Sequence, residues 1–112
     1  MMEMLRPHNG IIILKIATDL DTENVVSLQP RLEALVDQHA ENIILDFTNV
    51  TFIDSTGIGA IVFLFKRLTS QRRTLSLLKV SGQPYKLMTM LRVENAIPFI
   101  ENITECESNR SA

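Results

Sequence analysis

The strongest constraint on the fold is a change from strand-like to helix-like sequence in the middle of the chain. Ile43-Ile44-Leu45 is a continuous apolar run that ends at Asp46, which is typical of a buried strand. After a short polar turn, Asp54-Ser55-Thr56-Gly57 leads into Ala60-Ile61-Val62-Phe63-Leu64-Phe65, which indicates a helix. A strand, a loop and a helix in this order predict an α/β fold.

The start of this helix carries two hydroxyl side chains. Asp54 suits the N-cap position, because its carboxylate can accept hydrogen bonds from first-turn N–H groups that have no partner within the helix. Ser55 and Thr56 would then lie near the surface at the positive end of the helix dipole, where a phosphate can be accommodated. From spacing alone, capping explains the two hydroxyls as well as a function does.

Further segments have the composition of strands. They are short and largely apolar, and they cover Met2–Leu5, Ile11–Ile16, 43–47, Thr74–Leu78 and 97–100. The first of them is expected as a hairpin partner of the second. Pro98 lacks an N–H donor, so the last strand is expected at an edge of the sheet.

The helix before the central strand contains a proline. Apolar residues recur at helical spacing between Val25 and Val36 and predict a helix over about 24–39. Proline is comfortable only in the first turn of a helix. Pro30 therefore predicts either a late start, near 27–29, or a bend.

The whole chain is expected to form one domain. A cap and a first-turn proline in Ser81-Gly82-Gln83-Pro84 predict a short third helix. Alternating strands and helices predict a small single-domain α/β sandwich, with helices packed against a mixed, mostly parallel β-sheet. The domain is expected over 1–103, followed by a loose polar C-terminal tail over 104–112.

The central helix, predicted over about 54–72, has two different sides. One apolar stripe is expected to face the sheet, and it comprises Ile58, Ile61, Val62, Phe65 and Leu68. The side away from that stripe carries Thr56, Gly59, Phe63 and Arg67. An apolar ring is therefore expected at the surface beside the hydroxyls.

Charge and composition argue against several classes of function. The formal net charge is -2 and no basic cluster is longer than Arg72-Arg73, so direct binding of nucleic acid is not expected. No apolar stretch approaches the ~18 residues of a membrane span, and residues 1–7 lack the features of a signal peptide. The only cysteine, Cys106, cannot form an internal disulfide, which suits a reducing cytoplasm.

Catalytic and cofactor sites find little support. His8 and His39 have no Cys or acid at metal-ligand spacing, and Gly57-Ile58-Gly59 lacks the remaining residues of a nucleotide motif. Ser55 is not in a Gly-x-Ser-x-Gly elbow, so neither an enzyme nor a cofactor is expected. A metal site would need several carboxylates at one end of the sheet, but we favour caps and turns for Asp19, Asp21, Asp46 and Asp54.

Residues 46–59 resemble the signature of the STAS-domain anti-sigma factor antagonists, in which an apolar strand leads through a short loop to Asp-Ser-Ser/Thr-Gly-Leu/Ile-Gly. Here the motif is Asp54-Ser55-Thr56-Gly57-Ile58-Gly59. Asp19-Leu20-Asp21 also resembles the family's Gly-x-Leu-Asp, although Thr18 stands where a glycine is usual, and Pro30 is a second departure. The order of elements agrees from about residue 8 to 103.

The resemblance implies a regulatory binding protein. In the family the serine after the motif's aspartate is phosphorylated, which is Ser55 here, with Asp54 and Gly57 flanking it and Thr56 as a weaker acceptor. The unphosphorylated form binds an anti-sigma factor that is often also the serine kinase, which frees a sigma factor, and a PP2C-type phosphatase resets the switch. The expected partner-binding residues are Asp21, Thr56, Gly59, Phe63 and Arg67.

A second hypothesis stays open. The chain could be a constitutive STAS subunit of a larger assembly, such as a lipid or anion transport system. Ser55 would then have a structural hydroxyl. The two hypotheses differ in whether Ser55 is phosphorylated.

Overall fold

The strands follow one another across a single sheet in chain order. The structure, a computed structural model, describes residues 2–5, 10–38 and 40–104, and of 2–5 only the strand pairing. Within these residues the sheet consists of β1 (Met2–Leu5), β2 (Ile11–Ile16), β3 (Asn42–Asp46), β4 (Thr74–Leu78) and β5 (Phe99–Ile100). β1 runs antiparallel to β2, whereas β2 to β5 are parallel. The predicted mixed, mostly parallel sheet, its hairpin and its edge strand are confirmed.

The crossovers between the parallel strands are helical. They are α1 (Thr22–Val36), α2 (Ser55–Ser70) and α3 (Gly82–Met90), and a 3₁₀ turn over Val93–Asn95 precedes β5. Because each right-handed crossover leads to the next strand in the same direction, the three helices cover one face of the sheet. Among the described residues, no helix is both long and apolar enough to cross a bilayer.

Both faces of the sheet are buried. Alternate strand residues such as Ile12 and Leu45 pack with the helices in the main core. The residues between them form a second cluster on the opposite face, with Ile103 against it, and this cluster comprises Ile11, Ile13, Ile44, Leu78 and Ile100. Burial on both faces explains why these strands are continuous apolar runs instead of alternating ones.

The first helix continues through its proline. α1 begins at Thr22, where the Asp21 carboxylate accepts a hydrogen bond from the N–H of Asn24 at 2.9 Å. The predicted late start is therefore wrong, and so is the predicted end at 39, since α1 ends at Val36. Pro30 is exposed, so the Val26 carbonyl that loses its helical partner lies on the solvent side.

The buried side of α2 is wider than predicted. Ile58, Ile61 and Leu68 are buried as expected, and Val62 and Phe65 are partly buried. Gly57, Ala60 and Leu64 are buried as well. These additional residues are covered because α2 packs beside α1 as well as against the sheet.

Several sequence predictions lie outside the described residues. They concern His8, His39, Cys106 and the tail beyond Thr104. Ile103 and Thr104 are themselves helical. The boundary of the domain before residue 104 stays a prediction.

Candidate functional site

Two loops lie side by side at the carboxyl ends of the parallel strands. One follows β2 and leads to α1, and the other follows β3 and leads to α2. Leu20 and Ile53 form a parallel bridge between them. The N–H of Leu20 donates to Phe52 O at 2.9 Å, and the N–H of Asp54 donates to Leu20 O at 3.2 Å. The two loops are thus joined in the manner of neighbouring strands.

The Asp19 carboxylate adds a second connection between these loops. Its Oδ1 accepts hydrogen bonds from the N–H and the hydroxyl of Thr51, each at 2.9 Å, and from the N–H of Phe52 at 3.0 Å. These bonds, with the Thr51 N–H contributing most, hold the pKa of Asp19 below its ordinary value. Asp19 therefore acts as a charged acceptor that fixes the path of the second loop.

The side chain of Gln83, at the start of α3, holds the same loop from its other side. Its Oε1 accepts from the N–H of Ile53 at 2.8 Å, and its Nε2 donates to Ile53 O at 2.9 Å. The amide thus makes the pair of bonds that an adjacent strand would make. Since the Ile53 side chain is also fully buried, both the backbone and the side chain of this residue just before α2 are held in place.

Asp54 caps two helices at once. Its Oδ1 accepts from the N–H of Gly57 at 3.0 Å, so the predicted N-cap of α2 is confirmed. Its Oδ2 accepts from the N–H of Thr22 at 3.0 Å and from the Thr22 hydroxyl at 3.1 Å, at the start of α1. These bonds, led by that from Gly57, lower the pKa of Asp54, which is therefore ionised at neutral pH.

The two hydroxyls that follow Asp54 have different surroundings. The oxygens of Thr22 and Thr56 are 3.1 Å apart. Because the Thr22 proton is donated to Asp54, the Thr56 hydroxyl must be the donor of this bond. Ser55 is exposed, and its hydroxyl has no hydrogen-bond partner within the part of the chain that the structure describes. Ser55 is thus the accessible hydroxyl of the pair.

Gly57 allows the first turn of α2 to lie close to the other loop. A Cβ at this position would overlap Leu20 O and would lie 2.8 Å from Cγ1 of Ile53. The glycine is needed for space, because its backbone is helical. The cap by Asp54 depends on this close approach.

The outer face of α2 carries the side chains that were expected there. Thr56, Gly59, Phe63 and Arg67 are all exposed, and Phe63 is 43% exposed. The Arg67 guanidinium lies 5.6 Å from the centre of the Phe63 ring, in cation–π range. A Cβ at Gly59 would meet no atom of the described residues within 4 Å. This face is therefore open beside the hydroxyls.

The carboxylates serve as caps and turn acceptors, which is the interpretation favoured from the sequence. Asp46 accepts from the N–H of Thr48 at 2.9 Å and from its hydroxyl at 2.5 Å. Asp21 is half-buried and caps α1, and Asp19 and Asp54 accept as described above. Within the described residues, no three His, Cys, Asp or Glu side chains gather as metal ligands would.

Comparison with protein families matches residues 4–106 to the STAS domain. The chain belongs to the STAS domain family. A curated relative, the anti-sigma F factor antagonist of Paenibacillus polymyxa, is 27% identical over 106 residues, which cover 89% of this chain and 90% of the relative. The family resemblance drawn from residues 46–59 is thereby confirmed.

Solved STAS structures share the fold. A STAS domain protein from Planctomyces limnophilus superimposes with a TM-score of 0.85 at 15% identity, covering 99% of this chain and 98% of that one. The phosphorylated form of the Bacillus cell fate determinant SpoIIAA gives a TM-score of 0.73 at 17% identity and covers 100% of both chains. At these identities the likeness concerns the fold.

Sequence reasoning missed two residues that organise the site. The sequence pattern gives Thr22 no role, and it places Gln83 only at the start of a short helix. Each bonds to a residue at least 30 positions away in the chain. Nothing local in the sequence marks such a contact, whereas the cap by Asp54 has a local signature.

Proposed function

We propose that this STAS protein is an anti-sigma factor antagonist controlled by phosphorylation of Ser55. In its unphosphorylated form it binds an anti-sigma factor that is also a serine kinase, and the binding releases a sigma factor. The observation that carries the proposal is the exposed Ser55 hydroxyl, which has no hydrogen-bond partner among the described residues although Ile53 and Asp54 before it are held by hydrogen bonds. The name of the Paenibacillus relative supports the same role.

Ser55 is a better phosphoacceptor than Thr56. The Thr56 hydroxyl donates to Thr22, so phosphorylation there would break a bond that connects the two helices. A phosphate on Ser55 replaces no bond among the described residues. Local geometry therefore favours the residue that the family resemblance indicates.

The effect of phosphorylation would be electrostatic. A phosphate adds about -1.5 to -2 charge at neutral pH, next to the ionised Asp54 carboxylate. Covering both charges with a partner costs desolvation and repulsion, and a loss of about 1.4 kcal/mol already weakens binding tenfold. The hydrogen bonds from Leu20 and Gln83 hold the loop in place. The switch therefore needs no change of fold.

The remaining parts of the cycle follow from this role. A PP2C-type phosphatase removes the phosphate from Ser55 and restores binding. The protein itself is a binding module without catalytic activity or cofactor, and it acts in the cytoplasm. Its partner-binding surface comprises Asp21, Thr56, Gly59, Phe63 and Arg67.

The phosphorylation test uses intact mass. The purified protein is incubated with ATP and extract of the source cells, and we expect an added mass of one phosphate, about 80 Da. The addition should vanish in Ser55→Ala and persist in Thr56→Ala, the matched control. A protein that gains no phosphate and co-purifies with transporter subunits would instead support the second hypothesis, with a structural Ser55.

The binding test uses Phe63→Ala. Phe63 is 43% exposed and its ring lies in cation–π range of Arg67, so we expect the variant to keep its melting temperature within a few degrees and to lose affinity for the anti-sigma factor. A variant that unfolds would show that Phe63 supports the fold and is not a docking residue.

A further inference from the structure

The helices α1 and α2 run side by side in a fixed register. Both lead away from the carboxyl end of a parallel strand, so they point in the same direction. At their starts the oxygens of Thr22 and Thr56 are 3.1 Å apart, and both helices are tied to the Asp54 carboxylate. The first turns of the two helices are therefore level with each other.

Matching rows of side chains border the seam between these helices. Residues spaced four, three and four apart lie on one side of a helix. On α1 this row comprises Thr22, Val26, Gln29 and Glu33. On α2 the row with the same spacing comprises Thr56, Ala60, Phe63 and Arg67. The shared register brings the second member of one row level with the second member of the other.

In the second helical turn, the side chains of α2 beside the seam are small. Ala60 has a small side chain and neighbouring Gly59 has none, and a Cβ there would meet no described atom within 4 Å. On either side of these small residues lie two exposed apolar side chains: Val26 on α1, which is 74% exposed, and Phe63 on α2. These two exposed apolar side chains, with only small residues between them, are called the notch here, and it begins one helical turn, about 5.4 Å, from the hydroxyl pair.

We propose that Val26 is a second apolar anchor of the partner-binding surface, which therefore spans both helices. The occupant is the anti-sigma factor kinase of the proposed function, and it inserts an apolar side chain between Val26 and Phe63. The inference rests on that function and adds a residue that neither the family signature nor the predicted α2 face contains.

The size of a stable interface supports this extension. The outer face of α2 from Thr56 to Arg67 is a strip about 17 Å long and about 10 Å wide. A specific interface of standard size buries about 800 Å² on each partner, several times the area of this strip. A kinase that reaches Ser55 must therefore cover surface outside this strip, and Val26 is the exposed apolar residue of the matching row on α1.

The experiment measures phosphorylation of Ser55 by extract of the source cells with ATP, over a range of substrate concentrations. Val26→Asp should raise KM about tenfold and leave the maximal rate at a fixed amount of extract unchanged, because it removes docking and not the Ser55 hydroxyl. Val26→Ile should behave like the wild type. Met90→Asp is the matched control, since Met90 is 77% exposed on α3, and its KM should not change. Val26→Ser repeats the test should the aspartate disturb α1.

The possible results separate the inference from the function on which it rests. If Val26→Asp and Val26→Ser both have the KM of the wild type while Phe63→Ala has a raised KM, the inference about Val26 is wrong. The proposed function would still hold. If the wild-type chain is never phosphorylated at Ser55, both the inference about Val26 and the proposed function are wrong. Sedimentation provides a further check, because a wild-type dimer that Val26→Asp dissociates would assign the notch to a second copy of the chain.

Discussion

At the two ends of the parallel sheet, backbone groups are hydrogen-bonded by side chains of opposite charge: a guanidinium binds carbonyls at one end, and carboxylates bind N–H groups at the other. Where β3 and β4 begin, the Arg73 guanidinium donates to Ala40 O at 2.6 Å, Val36 O at 2.7 Å and Leu35 O at 2.9 Å. Where β2 and β3 end, carboxylates accept from the N–H groups of the loop after β3 and of two helix starts, as the helix dipoles favour. Each end thus holds together segments that are distant in sequence.

The ends differ in what they leave exposed. Arg73 is half-buried, its Nη1 also donates to Gln71, and burial lowers its pKa. At the other end hydrogen bonds hold the loop, but the Ser55 hydroxyl has no partner among the described residues. At one end the charged side chain is engaged by carbonyls, and the other end, which is also held by hydrogen bonds, presents an exposed hydroxyl. Four substitutions test this comparison, from the largest expected effect on stability to the smallest.

Gly57→Ala should have the largest effect. The added Cβ would overlap the Leu20 carbonyl oxygen, and neither backbone can move without breaking the bridge between the loops. We expect a loss of about 2–4 kcal/mol in the free energy of unfolding, measured in urea. Gly59→Ala is the matched control on the same helix and should gain about 0.5–1 kcal/mol. Equal effects in the two variants would contradict the close approach at Gly57.

Arg73→Met should come next. The variant keeps much of the apolar stem but removes the Arg73 donor from the carbonyls of Val36 and Ala40, and leaves Leu35 O with the N–H of Gln38 as its donor. We expect a loss of about 2–3 kcal/mol in urea, with no effect on phosphorylation of Ser55. The neighbouring exposed Arg72→Met serves as control and should stay close to the wild type.

Asp54→Asn should have a smaller effect that depends on pH. Asparagine can still cap Gly57, but its amide protons would face the N–H of Thr22. The pKa of Asp54 is lowered in the folded protein, so the carboxylate stabilises the fold above the unfolded pKa of about 3.9, and that contribution is lost as pH falls through the folded pKa. The difference between wild type and variant should therefore be present at pH 7 and shrink below about pH 4.

Thermal unfolding at several pH values would measure this difference. Asp21→Asn is the control, because the Asp21 carboxylate accepts a single described bond, from the N–H of Asn24, that an asparagine side chain can also accept. A difference in stability that is constant from pH 7 to pH 3 would show that the charge of Asp54 does not matter.

Ser55→Ala should have the smallest effect. Its hydroxyl has no partner among the described residues, so the free energy of unfolding should stay within about 0.5 kcal/mol of the wild type. Thr56→Ala should lose about 0.5–1.5 kcal/mol, because it removes the bond to Thr22. A reversed order in urea would mean that Ser55 is the structural hydroxyl of the pair.

Most of the fold could be predicted from the sequence because it is specified locally. Apolar runs, caps and prolines mark the strands and helices, and the wheel of α2 correctly placed Phe63 on the exposed side. The burial of Leu64 was missed because it depends on packing against α1. Pro30 misled the prediction because the exposed side of α1 tolerates it.

The candidate site was predictable only in part, for the same reason. Asp54 and Ser55 follow from a local capping pattern, but the difference between Ser55 and Thr56 depends on Thr22, 34 residues away from Thr56. Likewise, Gln83, which bonds to the backbone of Ile53, belongs to α3, the crossover between β4 and β5. Contacts of this kind become visible only once the strand order is known.

The fixed position of Ile53 also determines where the Ser55 side chain points. With the backbone held by Leu20 and Gln83, only Asp54 separates Ile53 from Ser55. Each residue inserted there would rotate the Ser55 side chain by about 100° around the helix axis and advance it by about 1.5 Å. The direction of the Ser55 hydroxyl thus depends on the number of residues between Ile53 and the helix. An insertion there would change this direction more than most substitutions of Asp54 would.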